Sequence, residues 1–115
     1  MSCIFCQIVE GKIPSTKVFE SPDVLGFKEI QPQAPIHYLF IPKKHYESLV
    51  EVPQNEMAVF DKIFGAIKSV TEKEGFAQTG FRTVMNTNRQ GGQSVFHVHF
   101  HVMAGTQMGG NLTGI

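Results

Sequence analysis

The sequence predicts an α+β fold, in which one long helix packs against a mainly antiparallel sheet. Three observations favour this fold. Apolar residues alternate in several short runs, one longer segment carries apolar residues at helical spacing, and a histidine stands at every second position from 97 to 101. No internal repeat and no long linker divides the 115 residues, so residues 1–115 should form one domain.

Turn-forming residues separate the predicted elements. In chain order these elements are one or two helical turns at 3–10, strands at 17–20, 24–29 and 37–41, a helix at 53–75, and strands at 81–85 and within 93–103. Residues 21–23 (SPD) favour a turn, so the first two strands should form a hairpin. The two prolines of the 31–35 loop fix φ and remove hydrogen-bond donors, and this loop therefore separates the hairpin from the third strand.

The segment 53–75 carries the long helix. Its apolar residues recur at steps of three and four and should form one stripe that packs on the sheet as core: Met57, Phe60, Ile63, Phe64, Ile67 and Val70. Pro53 suits the first helical turn, and Lys73 followed by Gly75 suits the last one.

The histidine run is the strongest functional signal. In a strand, His97, His99 and His101 would point to one face. The apolar residues between and after them would point to the other face: Val98, Phe100 and Val102. A single strand histidine is usually a packed residue, but three of the five histidines in register indicate a site. The rings could serve as a nucleophile for phosphoryl or nucleotidyl transfer, or as three ligands of a hydrolytic metal ion.

The loop before the histidines suits an anion. Gly91 and Gly92 let a backbone approach a ligand and turn its N–H groups toward it, and Ser94 adds a hydroxyl donor. Asn86 and Gln93 flank the glycines. Next to aligned histidines, this loop indicates a phosphate or oxyanion pocket.

Composition excludes several classes of function. Lys plus Arg and Asp plus Glu number ten each, which gives no basic surface for nucleic acid or for an anionic membrane. We find no apolar run of the roughly 18 to 20 residues that a membrane span needs, and no signal peptide, so we expect a soluble cytoplasmic protein.

Cys3 and Cys6 are the only cysteines, and their C-x-x-C spacing fits half of a tetrahedral zinc site better than a disulfide in a reducing compartment.

Residues 97–103 (HVHFHVM) match the pattern His-φ-His-φ-His-φ-φ, and the chain resembles the histidine triad (HIT) family. Residues 21–45 (SPDVLGFKEIQPQAPIHYLFIPKKH) and 85–105 (MNTNRQGGQSVFHVHFHVMAG) resemble the Hint branch, and the likeness covers roughly residues 3 to 105. It implies a HIT fold and a homodimer with a sheet continued across the subunits. It also implies an enzyme of the purine nucleoside phosphoramidase type, which splits the bond from a nucleoside α-phosphate to its leaving group and needs no cofactor for catalysis.

The resemblance also implies roles for individual residues. His99 would be the nucleophile that is transiently nucleotidylated, His101 and Ser94 would contact the α-phosphate, and His37 would support the nucleophile through hydrogen bonds. The implied substrate-binding residues are Asn86, Gly92, Gln93, Ser94, Glu29, Ile4, Phe5, Ile13, Phe27 and Ile30. A structural zinc ion would be held by Cys3, Cys6, His45 and His97.

Two departures from the family pattern leave specificity open. Glu29 stands where relatives commonly carry the Asp that binds the ribose, and the tail 105–115 lacks the tryptophan and prolines that close the pocket of eukaryotic Hint proteins. Two alternatives also stay open. One is a dinucleoside polyphosphate hydrolase of the Fhit type, and the other is a non-enzymatic module that binds nucleotides or proteins.

Overall fold

The computed structural model describes residues 3–110, and it has the predicted α+β architecture. The elements, in chain order, are α1 (Ile4–Val9), β1 (Lys17–Glu20), β2 (Val24–Lys28), β3 (Ile36–Pro42), two 3₁₀ turns (Leu49–Glu51 and Gln54–Glu56), α2 (Ala58–Lys73), β4 (Arg82–Val84) and β5 (Phe100–Ala104). Within this part of the chain, no helix is both long enough and apolar enough to cross a membrane.

The strands form one antiparallel sheet in the order β1-β2-β3-β5-β4. β3 and β5 are its centre, and Leu39 lies opposite His101 in their register. Gly26 of β2 lies opposite Phe40, where a Cβ atom would come within 2.8 Å of the Phe40 ring. The absence of a side chain at Gly26 therefore lets the two strands pack around that ring.

The two faces of the sheet are covered by the two helices. On one face, the stripe of α2 forms the larger core with Phe40, Val98, Phe100 and Val102. The prediction was wrong for Phe64, which is half exposed and lies outside this core, although its ring contacts that of Phe100. On the other face, α1 forms a smaller apolar cluster, whose buried members are Phe5, Ile8, Leu25, Phe27, Leu39 and Ile41. The predicted alternation of the histidine run is confirmed on its apolar side, because Val98, Phe100 and Val102 all belong to the α2 core.

Two predicted boundaries were wrong. The long helix begins at Ala58 and not at Pro53, because the N–H groups of Glu56 and Met57 form 3₁₀ hydrogen bonds to Pro53 and Gln54. The regular part of the histidine strand begins only at Phe100, so His97 and His99 precede it. There the N–H of Val98 binds the carbonyl oxygen of Tyr46, outside the ladder between β3 and β5. The other strand ends agree with the prediction within one or two residues.

Candidate active site

The three triad rings lie on the face of the sheet that α1 covers. The ring of Phe5 makes edge contacts with His97 and His99, at centroid distances of 5.9 and 5.2 Å. The ring centroids of His99 and His101 are 5.1 Å apart. The common face expected from the spacing is therefore present, although His97 and His99 stand outside the regular strand.

The hydrogen bonds of His99 fix its tautomer. Its Nδ1 lies 2.8 Å from the backbone oxygen of His97, and because a carbonyl oxygen only accepts, Nδ1 carries the proton. The other nitrogen, Nε2, therefore keeps its lone pair. Burial lowers the pKa of His99, against the opposing effects of that hydrogen bond and of the Glu29 charge, so the neutral ring is favoured.

A second chain of hydrogen bonds orders His37 and His101. The backbone N–H of Gln33 donates to Nδ1 of His37 over 3.0 Å, so the proton of His37 sits on Nε2. His37 Nε2 in turn donates to Nδ1 of His101 over 2.9 Å, which leaves His101 with its proton on Nε2. Burial, followed by the neighbouring His99 and His37 rings, lowers the pKa of His101 to about 4. The site thus holds one free imidazole lone pair, on His99, beside one imidazole N–H donor, on His101.

A cavity of about 420 Å³ opens beside these rings. The predicted site residues that line it are Ile4, Phe5, Ile13, Phe27, Glu29, Ile30, His37, Ser94, His99 and His101. Most of the lining is apolar, as in sites that hold an aromatic base, while the histidines and Ser94 supply a polar end. Glu29 lies near that end, since one of its oxygens is within 4.8 Å of the His37 and His101 nitrogens.

Several lining residues were not predicted. They include Ile8, Leu39, Val95 and the cation Lys28. Leu39 could have been found from its alternation with His37 along β3, and Ile8 from its position one helical turn after Ile4. Nothing in the local pattern distinguishes Lys28 from an ordinary exposed lysine.

Three predicted substrate contacts lie outside the cavity lining: Asn86, Gly92 and Gln93. The side chain of Gln93 is buried. It accepts from the backbone N–H of Asn88 over 2.7 Å and donates to the backbone oxygen of Glu47 over 2.6 Å. Gly92 has a φ of +82°, which favours glycine. In the structure Gly92 and Gln93 shape the loop, and the contact of all three residues with a substrate stays a prediction.

The predicted metal ligands lie together at the N-terminal end of α1. Nδ1 of His97 is 3.3 Å from Sγ of Cys3, 3.6 Å from Sγ of Cys6 and 3.2 Å from Nδ1 of His45, and Sγ of Cys6 is 3.4 Å from that same His45 nitrogen. In a tetrahedral zinc site, the usual bond lengths place two nitrogens about 3.3 Å apart and a nitrogen and a sulfur about 3.6 Å apart. The donor set and its spacing fit zinc.

Local structure explains the placement of three of these four side chains. Cys3 caps α1 and Cys6 follows one turn later, with its N–H directed at the Cys3 sulfur. His97 Nε2 donates to the Pro42 oxygen over 2.8 Å, which turns the Nδ1 lone pair toward the cluster. Burial and the neighbouring Cys3 raise the pKa of the Cys6 thiol to about 11, so a bound cation is what would hold Cys6 as a thiolate.

The geometry bears on whether the triad itself is a metal site. Within residues 3–110, two groups of possible ligands converge, and neither contains all three triad histidines. His97 belongs to the cysteine group, while His101 belongs to a group with Glu29 and His37. In that second group the His37 and His101 nitrogens already bind each other. A single metal ion held by the three rings is therefore disfavoured.

The chain is similar to several known proteins. Residues 10–108 match the family model of the HIT domain. The purine nucleoside phosphoramidase of Escherichia coli (strain K12) is 37% identical over 106 residues, which cover 92% of this chain and 89% of that protein. The adenylylsulfatase HINT1 of Arabidopsis thaliana is 41% identical over 107 residues, covering 91% of this chain and 72% of that protein. A solved histidine triad protein from Clostridium difficile has a TM-score of 0.94 and 46% identity, with 96% of each chain covered.

Proposed function

This chain belongs to the histidine triad (HIT) family, and from that premise we propose that it hydrolyses the bond between a nucleoside α-phosphate and its leaving group. The proposed substrates are purine nucleoside phosphoramidates, the class that the name of the Escherichia coli relative indicates, and similar adenylylated compounds. The observation that carries the proposal is the ordered pair of tautomers, with a lone pair on His99 and an N–H on His101 beside one cavity.

The proposed reaction has two displacements at phosphorus. Nε2 of His99 attacks the α-phosphorus, the bond to the leaving amine breaks, and the amine departs with the electron pair and takes a proton from solvent at the cavity mouth. Water then attacks the nucleotidyl-His99, releasing the nucleoside monophosphate, returning the electron pair to Nε2 and giving a proton to solvent. The His101 N–H and the Ser94 hydroxyl would donate to the α-phosphate oxygens in both steps.

The cavity divides the remaining work of binding. Its apolar wall of Phe5, Phe27 and Leu39 would pack against the base, and the carboxylate of Glu29 would accept hydrogen bonds from the ribose hydroxyls. Glu29 already accepts the N–H of Gln31 over 3.1 Å, a contact that favours one orientation of its carboxylate.

Turnover of an adenosine phosphoramidate by wild type and His99→Asn tests the function. We expect hydrolysis by wild type and an AMP-sized adduct in its intact mass after rapid quench, with neither in His99→Asn, which should still bind AMP. Full turnover by His99→Asn would remove His99 as the nucleophile. AMP binding without any hydrolysis by wild type would favour the binding-module alternative.

We also propose that Cys3, Cys6, His45 and His97 hold a structural zinc ion, supported by the fit of their donor spacing. When bound, zinc would cross-link α1 to the segment after β3 and to the triad segment, without a part in bond cleavage. Cys3→Ser with Cys6→Ser should lower the zinc content and the melting temperature much more than the maximal turnover rate. Equal zinc content in this variant, measured by mass spectrometry of the metal, would contradict the site.

We further propose a homodimer in which the sheet continues through β4. This strand is at one edge of the sheet, and no other strand of the described residues pairs with its outer side. Phe81 just before β4 is an exposed apolar residue at this edge, and Phe64 of α2 is exposed as well, with its ring 5.3 Å from that of Phe100 in the neighbouring strand β5. An exposed edge beside apolar surface favours pairing with a second copy.

Sedimentation at several concentrations tests the dimer. We expect wild type to sediment as a dimer and Phe64→Lys as a monomer. Val50→Lys is the matched control, because Val50 is also apolar and exposed but lies in a 3₁₀ turn. A monomeric wild type, or equal effects of the two lysines, would contradict the proposed interface.

A further inference from the structure

The metal cluster and the cavity share the same short helix. Cys3 and Cys6 contribute to the cluster, while Ile4, Phe5 and Ile8 line the cavity from the other side of α1. The helix has only six residues. A helix of this length is not stable by itself and depends on what holds it to the rest of the fold.

We infer that the metal cluster positions the nucleophile and one wall of the nucleotide cavity, so that zinc and nucleotide bind with positive coupling. His97 is the positioning residue that joins the two sites. This inference rests on the proposed function and on the proposed zinc ion.

The first connection runs through His97. Its ring is fully buried, with Nδ1 in the cluster and Nε2 bound to the Pro42 oxygen. Its backbone oxygen accepts the Nδ1 proton of His99. Since His97 precedes the regular part of β5, the His97–Val98 peptide is held outside the ladder, by the hydrogen bond from the Val98 N–H to the Tyr46 oxygen and by the anchored His97 ring. Loss of the metal would free one side of this ring and loosen the acceptor that fixes the tautomer of His99.

The second connection runs through Phe5. Its ring lies 5.2 Å from His99 and 5.7 Å from Phe27, so it supports the nucleophile and completes the apolar wall. Cys3 and Cys6 flank Phe5 in the sequence. A metal ion that restrains both cysteines therefore restrains the Phe5 ring between them, and a nucleotide packed against that wall would in turn restrain the cysteines.

Coupling between two sites is reciprocal, so it can be measured on either ligand. The experiment follows zinc release from the loaded protein to a chromogenic chelator, with and without saturating AMP. We expect AMP to slow release about tenfold, within the range usual for coupled sites. The measurement starts from the folded, loaded protein and needs no catalysis.

A pair of Phe→Leu variants separates local coupling from general stability. Phe5→Leu keeps all four metal ligands but removes the ring that contacts His99, and it should abolish most of the AMP effect. Phe60→Leu removes a ring that packs on Phe100 at the opposite face of the sheet, and it should keep the tenfold effect. If release occurred by global unfolding, the two variants would behave alike.

The tautomer of His99 gives a second readout, by nitrogen NMR of the imidazoles. The zinc-loaded protein should show His99 protonated only at Nδ1, and Cys6→Ser should show a mixture of tautomers. A protein that binds AMP and zinc but releases zinc at one rate in both conditions would overturn the inference and leave the proposed function standing. Absence of AMP binding would overturn both proposals, and absence of zinc binding would overturn the metal site together with this inference.

Discussion

Replacing His37 tests whether the order of protons in the site matters for the reaction. In the structure His37 donates to His101 and not to His99, so its support of the nucleophile would be indirect. His37→Leu leaves Nδ1 of the buried His101 without a donor. The ring could then place its proton on either nitrogen, and the donor directed at the phosphate would be lost part of the time.

The size of the effect follows from that buried nitrogen. In His37→Leu, the tautomer of His101 that keeps the phosphate donor on Nε2 leaves Nδ1 unpaired and is disfavoured by about 1–3 kcal/mol, the cost of an unsatisfied buried acceptor. Each 1.4 kcal/mol lowers the fraction of this active tautomer, and hence the rate, about tenfold. We therefore expect kcat/KM for the adenosine phosphoramidate to fall about ten- to hundredfold in His37→Leu. The free energy of unfolding should fall by about 1–3 kcal/mol, because the same nitrogen is left unpaired in the absence of substrate.

His37→Gln supplies the matched control. Its side-chain amide retains an N–H donor that can reach toward His101, so activity should lie between that of wild type and that of His37→Leu. Steady-state kinetics and urea unfolding on the three proteins provide the measurement. Equal kcat/KM in all three would refute the argument, and so would a stability loss in His37→Leu without any loss of rate.

Two further predictions concern stability. The pKa of His101 is about 4 in the folded protein and about 6.5 in the unfolded chain. As the pH falls from about 6.5 to about 4, the unfolded state takes up a proton that the folded state does not, so the free energy of unfolding should decline in this window. Urea unfolding should show a smaller decline in His101→Asn than in wild type, and an identical decline would contradict this prediction. Gly26→Ala should destabilise by about 1–3 kcal/mol because the new methyl group meets Phe40. Gly65 lies in the middle of α2, and a Cβ atom there would meet no atom of the described residues within 4 Å, so Gly65→Ala should stabilise the protein by about 0.5–1 kcal/mol. Thermal melts in which the two glycine variants change the stability in the same direction would contradict the packing argument.

Local patterns were sufficient to predict most of the fold. The alternation from 97 to 102 identified the two faces, and the stripe of α2 identified what covers one of them. The start of α2 was wrong because Pro53 suits a 3₁₀ turn as well as a helical one, and sequence alone does not decide between these hydrogen-bond patterns. The contact between His37 and His101 depends on the register of β3 and β5, across 64 residues of chain, which no local pattern specifies.

The error in the histidine strand has a chemical meaning. A regular strand extended back through His97, with a neighbour on each side, would engage the His97 carbonyl oxygen in a ladder hydrogen bond to one of them. In the structure β5 begins at Phe100, and that oxygen accepts the ring proton of His99. The same irregular segment turns the His97 ring toward the cysteines. Period-two alternation therefore placed the rings on the correct face, and it failed at the residues where the backbone leaves the sheet to bind a side chain, which is where a functional site is expected to depart from regular structure.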